Sequence, residues 1–283
     1  MSQKLISVVI PTRNEAHNIA SCIAAFGWAV AEGWCEVLVV DNFSDDETGR
    51  IAKELRARVF EQGPERSAQR NRGWQESQGL YVLFVDADMR VPEETLREIR
   101  DVLSQASPPE ALYVREVRSG KGWWISVRNF ERSFYDATCI DGLRVIRRSL
   151  LQSVGGYDES LFACEDWDLD RRILAVTQNV ALTDGHLIHN EERLTFARHL
   201  RKKKYYSGSF AAYRNKWGQD AITRRQFGFF YRFFAVFFEN GKWRRVLRHP
   251  VYLFAIWAER LCVGLIYVLA CAGKHKSGIR LQI

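Results

Sequence analysis

Asp86 and Asp88 close the stretch Y-V-L-F-V-D-A-D, which begins at Tyr81. Residues i and i+2 of a strand share a face, so the two carboxylates can converge just past the strand, with Ala87 between them. Hard carboxylate oxygens there suit Mg2+ or Mn2+ that is also held by substrate phosphates. The five β-prone residues before them read as a strand buried on both faces. Ligands of open α/β sheets bind beyond such carboxyl ends. A strand followed by a solvated acidic turn is the plainer alternative, and the pair alone does not decide.

Other polar loops follow strand-like runs. P-T-R-N-E spans Pro11 to Glu15, and D-N-F-S-D-D spans Asp41 to Asp46. In a parallel sheet these ends share one edge with D-A-D. Asp41 there can accept from a ribose hydroxyl or a base, or it can close an Asx-turn. E-R-S-A-Q-R-N-R-G, Glu65 to Gly73, carries Arg66, Arg70 and Arg72 across more than a helical turn. One or two of them can face a diphosphate, and the rest a solvated helix surface.

Further on, E-D-W-D-L-D-R-R supplies Glu165, Asp166, Asp168 and Asp170. Acidic residues in a first helical turn are ordinary dipole partners, which accounts for Asp168 and Asp170. Asp166 begins its helix in an otherwise apolar stretch, where a partly buried carboxylate could serve as a general base. H-L-I-H-N-E-E then adds His186 and His189, each readable as structural or as a ligand.

The elements that must position these groups alternate. Strands are expected at Leu5–Ile10, Glu36–Val40, near Val59, at Leu80–Val85 and around Leu112–Val114. Helices are expected at Glu15–Val30, entered at Asn14, and at Pro64–Gln78. Ser44 with Glu47 reads as a capping box opening a helix that runs to Arg56. Pro92 reads as the first position of another helix. This rhythm predicts a largely parallel sheet with right-handed crossovers. After Gly120 come a helix at Trp123–Tyr135, an extended stretch at Leu143–Ile146, a turn at Gly155-Gly156 and a helix at Glu165–Ala175. An irregular segment then leads to His189. From Thr195 onward only helices are expected, broken near Gly218 and Gly241 and by Pro250.

Taken together, P-T-R-N-E, V-V-D-N-F-S-D-D-E-T, A-Q-R-N-R-G, V-D-A-D, V-G-G-Y-D-E-S-L, E-D-W-D-L-D-R-R and I-H-N-E resemble the family 2 glycosyltransferases, which have the GT-A fold. The stretches fall in the family's order within residues 5–192. The resemblance implies an inverting transferase that uses a nucleotide-diphospho-sugar and Mn2+ or Mg2+. It implies that Pro11, Thr12, Arg13, Glu15, Asp41, Arg66, Asn71, Asp86, Ala87 and Asp88 hold the nucleotide-sugar. It makes Asp88 and His189 the metal ligands and Asp166 the catalytic base. Arg66 stands where the family often has a small residue, and His186 lies off the pattern and reads as structural. UDP is the expected nucleotide, on frequency alone.

The net charge of +7 conceals a division. Residues 193–283 hold 19 Lys+Arg against 3 Asp+Glu, a balance of +16, so residues 1–192 stand at −9. The basic part also carries 19 of the 36 aromatic residues. The expected organisation is a catalytic domain over 1–192 and a helical extension over 193–283. A basic, aromatic surface points to anionic membrane or nucleic acid. Consecutive aromatics such as F-F-Y-R-F-F suit a buried or lipid-facing helix better than a base-stacking strand, so nucleic acid is not the expected partner. Val251–Ala272 is long enough to span a bilayer. Glu259 and Arg260 at its middle would each cost about 2.5–3.5 kcal/mol there, and adjacent helical residues do not face each other. A helix lying in the membrane interface, or packed with its neighbours, is expected instead. The six cysteines form no C-x-x-C pair and read as reduced core thiols. The N-terminal apolar run is short for a signal peptide. The expected location is the cytoplasmic face of a membrane, with a lipid-linked or glycan acceptor. Two alternatives stand beside it: a polyprenyl- or dolichyl-phosphate sugar synthase, and a non-catalytic, membrane-tethered nucleotide-sugar-binding protein.

Overall fold

In the computed structural model, which describes residues 4–191, 206 and 209–276, the first half of the chain lays down four parallel strands. They are β1 (Ile6–Thr12), β2 (Cys35–Asp41), β3 (Arg58–Glu61) and β4 (Tyr81–Phe84). Alternation decides how they are covered. Ile6, Val8, Ile10, Val37, Val39, Tyr81 and Leu83 enter one apolar cluster. Val9, Val40, Val82 and Phe84 enter the other, on the opposite side of the sheet.

The remaining strands are β5 (Met89–Arg90), β6 (Ala111–Ser119), β7 (Leu143–Arg147) and β8 (Val180–Asn190). The sheet order is β3-β2-β1-β4-β7-β6-β8-β5. The β3-β2-β1-β4 half is parallel. β7 then runs antiparallel to both β4 and β6, so the sheet is mixed. Strand order reverses direction between β1 and β4, and ligands of open α/β sheets bind beyond the carboxyl ends of the strands at such a point. Asp86 and Asp88 follow β4 directly.

Several local expectations need correction. The segment before His189 is not irregular: it is the eleven-residue strand β8, parallel to β6 and antiparallel to β5. Thr and Asp interruptions hide its pattern, and its pairing partners are far away in sequence. The single helix expected over Glu15–Val30 is two short ones, α1 (Ile19–Ala24) and α2 (Gly27–Ala31). Asn14 does not open it; its φ is +55° and its N–H donates to Ser44 Oγ. Ser44 does not cap helix α3 (Thr48–Glu54) either, because its hydroxyl and N–H both go to Asp41. The Thr48 N–H instead donates to Asp46.

Helix α4 (Arg66–Glu76) packs on the sheet closely enough that a Cβ at Gly73 would lie 2.2 Å from Val9 Cγ1. Two further helices, α7 (Arg148–Val154) and α8 (Glu165–Leu174), complete the parts that bear on the site.

The chain divides into two units: Met1–Gly120 with Tyr135–Glu191, and Lys121–Phe134 with Glu192–Ile283. Lys121–Phe134 thus falls with the C-terminal helices rather than with the sheet. Its helix α6 (Trp123–Arg132) is followed by Phe134, whose ring packs edge-on against Phe237, and Arg260 Nη2 donates to Glu131 Oε1 at 2.8 Å. In the second unit, helices Phe210–Trp217 and Ala221–Phe227 flank Gly218, and Pro250–Lys276 begins at Pro250. Glu259 and Arg260 are both buried within this unit. Among the described residues no helix is long and apolar enough to cross a membrane. The basic run His199–Tyr205 lies outside the described residues.

Candidate active site

The C-terminal ends of β1 and β2 are in register, with Thr12 opposite Asp41. Gln69, on the sheet-facing side of α4, donates to both Thr12 O and Val40 O, at 2.9 and 2.7 Å. These bonds tie α4 to the ends of both strands, where Thr12 O also accepts from Asn42 N. The two loops interlock above them. Glu15 N donates to Thr48 Oγ1, and Asn14 Oδ1 accepts from Asp45 N. Asp41 is buried and closes its own turn through Ser44. Pro11 is buried in β1, Arg13 is exposed, and Glu15 Oε2 accepts from Asn18 Nδ2. The Thr12 hydroxyl is buried without a hydrogen-bond partner, an unusual cost.

The second half of the site hangs from β4. Asp86 and Asp88 are half-buried and Ala87 is buried between them. The chain then enters β5, whose Met89 pairs with His189 of β8. That pairing brings His189 Nε2 to 3.0 Å from Asp88 Oδ2, while its Nδ1 lies 3.2 Å from Glu116 Oε1 on β6. Glu116 in turn accepts from Arg144 Nη2 at 3.2 Å. Burial pulls the His189 imidazole down, but the hydrogen bonds to Asp88 and Glu116 outweigh it and push it up to about 9. His186 sits on the same strand; its N–H donates to the Thr95 hydroxyl, which donates in turn to His186 O, a structural position.

Asp166 arrives from the far side of the site. Cys164, just before α8, adopts a left-handed φ of +63°. Strain at a non-glycine residue beside a working group is a common sign of a functional turn. Glu165 turns inward and Asp166 meets Arg70, whose Nη1 lies 2.9 Å from Asp166 Oδ1. Gly142 leaves the room: a Cβ there would be 3.0 Å from Asp166 Cβ. Arg70 also reaches Asp86, with Nη2 3.0 Å from Oδ1. Burial pushes the Asp86 carboxyl up, but Arg70 and Arg144 outweigh it and hold it well below the usual carboxylate range. Glu165 moves the other way: burial and the charge of Asp166 raise it against Arg66 and Arg70.

Three expectations change. The Asn71 amide is committed to the fold: it donates to Tyr157 O and Glu159 Oε1 and accepts from Tyr157 N and Trp74 Nε1. It ties α4 to the loop after Gly156 and is not free for a nucleotide. Arg66 lies 3.4 Å from Glu165, inside the acidic cluster. Asp168 and Asp170 are more than dipole partners, since Asp168 pairs with Arg172 and Asp170 accepts from Tyr113 Oη and Leu143 N. Arg144 and Glu116 were not singled out from the sequence, and Arg70 was named only as one of three arginines that could face a diphosphate. A-Q-R-N-R-G could have pointed to Arg70, because Ala68 and Gly73 mark the close-packing face of that helix.

A family model described as Glycosyl transferase family 2 matches residues 7–155, more than half of the chain. The chain belongs to this family. A second model, Glycosyltransferase like family 2, matches residues 134–234. Glycosyltransferase AglE of Haloferax volcanii is 36% identical over 91 residues, 29% of this chain and 30% of that protein. Dolichol-phosphate mannosyltransferase of Pyrococcus furiosus is 29% identical over 122 residues, 41% of this chain and 34% of that protein. The chain thus matches about a third of each relative's length. Among solved structures, mannosyltransferase PcManGT from Pyrobaculum calidifontis, in complex with GDP-Man and Mn2+, superposes with a TM-score of 0.60 at 19% identity. That match covers 97% of this chain and 87% of the other. The fold is therefore that of GT-A enzymes, and this family 2 protein is a glycosyltransferase.

Proposed function

We infer that this glycosyltransferase moves one sugar, with inversion, from a nucleotide-diphospho-sugar to a hydroxyl of a lipid-linked or membrane-presented acceptor, in a reaction that needs Mn2+ or Mg2+. The observation that carries the reading is the set of four acidic or basic groups, Asp86, Asp88, Asp166 and His189, held in one hydrogen-bonded neighbourhood beyond β4.

The donor set fits a divalent cation. Asp88 offers a carboxylate and His189 an imidazole nitrogen, and the other ring nitrogen is oriented by Glu116, as is usual for a metal-bound histidine. Among the described residues no group of three or more His, Cys, Asp or Glu side chains is arranged to cage a metal. Asp88 and His189 would therefore hold the ion together with donor phosphates and water, and a mixed O/N set favours Mn2+ over Mg2+. When bound, the ion supplies neutralisation of charge on the departing diphosphate. The protein's own residues do the rest. Thr12 and Asp41 hold the nucleotide at the ends of β1 and β2, and Asp166 takes the proton of the attacking hydroxyl. A single displacement from the face opposite the diphosphate inverts the anomeric carbon.

A second reading, transfer to a polyprenyl phosphate, is favoured by the match to a dolichol-phosphate mannosyltransferase. A phosphate acceptor is already ionised, so Asp166→Asn would then cost little.

The membrane reading rests on the helical unit. Phe229, Phe230, Phe238, Leu247, Val251 and Phe254 are all more than half exposed, among Arg224, Arg225, Arg232, Arg244 and Arg248. Apolar side chains among cations suit the cytoplasmic face of an anionic bilayer.

The test of the enzyme reading is hydrolysis of UDP- and GDP-sugars with and without Mn2+. Turnover with one donor that needs the cation and is lost in Asp88→Ala supports it; cation-independent turnover defeats it. Binding of a donor without any turnover would favour the non-catalytic alternative. Flotation with anionic vesicles, comparing the full chain with Phe229→Ser/Phe230→Ser/Phe254→Ser, tests the membrane reading. Equal flotation of the two proteins would count against that face.

A further inference from the structure

Arg70 is the most completely buried cation near the site, 1% exposed, yet it makes its contacts with groups from two other parts of the chain. Its guanidinium spends one nitrogen on Asp86 Oδ1 at 3.0 Å and the other on Asp166 Oδ1 at 2.9 Å, with Glu165 Oε1 at 3.4 Å from the latter. Below it the Tyr157 ring centroid lies 5.2 Å from the guanidinium carbon. The Asp86 and Asp166 side chains remain 18% and 33% exposed. The cation is therefore sealed underneath while the carboxylates it holds stay open to the rim.

We propose that Arg70 is a positioning residue, whose planar fork sets the spacing between the donor-side carboxylate of Asp86 and the acceptor-side carboxylate of Asp166. The proposal rests on the transferase reading above. An arginine fork has fixed geometry, and both of its terminal nitrogens are used here. The oxygens it holds are thus locked at a short separation, although they come from the end of β4 and the start of α8. The fork engages only Oδ1 of Asp166, so Oδ2 remains for the acceptor proton. Buried charge pairs of this kind cost desolvation, and a Phe or Leu could have filled the same space under Asp86. What an apolar side chain could not do is hold two separate carboxylates to one geometry. Arg144 does not substitute for it: its Nη1 is 3.9 Å from Asp86 Oδ2 and its hydrogen bond goes to Glu116.

The test uses the full chain and whichever sugar nucleotide the wild type hydrolyses, with water standing for the acceptor. Arg70→Lys keeps the charge and loses the fork; Arg70→Gln keeps part of the hydrogen bonding and loses the charge. Each is measured for kcat and KM of donor hydrolysis, nucleoside diphosphate affinity with Mn2+, and melting temperature, alone and combined with Asp166→Asn. A misplacement of about 1 Å can cost on the order of a hundredfold in rate. Arg70→Lys is therefore expected to lower kcat about 30- to 100-fold, with KM and nucleotide affinity within about threefold. In the Asp166→Asn background Arg70→Lys is expected to cost almost nothing more, because both changes disable one unit.

A wild-type kcat in Arg70→Lys overturns the proposal. So does a loss of the same size in the Asp166→Asn background, since Arg70 would then act independently of Asp166. A loss that tracks melting temperature and nucleotide affinity makes the role structural and overturns it too. Should Arg70→Gln fail to fold, Arg70→Lys carries the test. A wild type that turns over no donor sinks the transferase reading, whereas a working wild type beside an unimpaired Arg70→Lys sinks only this one.

Discussion

Arg70 and Arg260 are both buried and both pair with carboxylates, and they do so on different terms. In the sheet unit Arg70 holds Asp86 and Asp166, whose side chains stay partly open. In the helical unit Arg260 pairs with Glu131 at 2.8 Å, and its guanidinium carbon sits 5.1 Å from the Phe237 ring centroid. The second pair ties helix Pro250–Lys276 to α6; its Glu131 side chain is 16% exposed, close to Asp86 at 18%, and Asp166 at 33% is the distinctly open carboxylate. Arg70 thus spends its desolvation in part on a carboxylate that still faces solvent and can meet a substrate. Burial of an ion pair therefore says little about its use; the accessibility of the partners' remaining oxygens says more.

The sharpest way to break this contrast is to neutralise one carboxylate of each pair. Asp166→Asn is expected to lower turnover by about 10²- to 10⁴-fold, the usual worth of a general base, while thermal melting changes little. Glu131→Ala should do the reverse. Removing the carboxylate from a buried guanidinium is expected to cost about 3–5 kcal/mol, read as a shift of the denaturant midpoint, with kcat of the folded protein retained. If the two variants exchanged these signatures, the contrast would be wrong.

Gly142→Ala sharpens the rim side. The new methyl group would press on Asp166 at 3.0 Å, so kcat is expected to fall about tenfold, a fraction of the cost of a full misplacement, with donor KM unchanged in steady-state assays. The smallest effect belongs to Asp170, on the same helix as Asp166 but with no arginine in hydrogen-bonding contact. Burial raises its carboxyl well above the usual range, against hydrogen bonds from Leu143 N and Tyr113 Oη. The folded state therefore binds this proton more tightly than the unfolded chain does. Stability falls as pH rises through the unfolded value of about 3.9, and continues to fall until the folded pKa is passed. Asp170→Asn should then melt higher than wild type at neutral pH and converge with it near pH 3, a difference that pH-resolved melting curves would detect.

The parallel half of the site was legible in the residues. V-V-I-P-T, V-L-V-V-D and Y-V-L-F-V-D-A-D are continuous apolar runs that read as strands buried on both faces, each ending in polar groups at one sheet edge. Asp86 and Asp88 were found for that reason, and Asp166 as the acidic start of a helix in an apolar stretch. In the mixed half, β6 and β7 were legible around Leu112–Val114 and at Leu143–Ile146, whereas β8 and β5 were not. β8 is broken by Thr183, Asp184 and Gly185, so its periodicity is lost, and its partner β5 has only two residues. The capping reading of Ser44 failed because a serine between two aspartates has several acceptors within reach. Only the neighbouring strand end determined that it turns to Asp41. Asn71 was placed on the ligand side by resemblance, whereas the rotation of α4 on the sheet turned it toward Tyr157.

From the sequence alone came the kinds of groups, the strand ends that carry them and the division into acidic and basic parts, because these depend on composition and short-range periodicity. Which of three arginines enters the protein, which carboxylates it joins and which nitrogen of His189 meets Asp88 were decided by the tertiary structure. Those outcomes depend on the approach of segments about a hundred residues apart, and no local pattern encodes how α4, α8 and β8 are set against the end of β4.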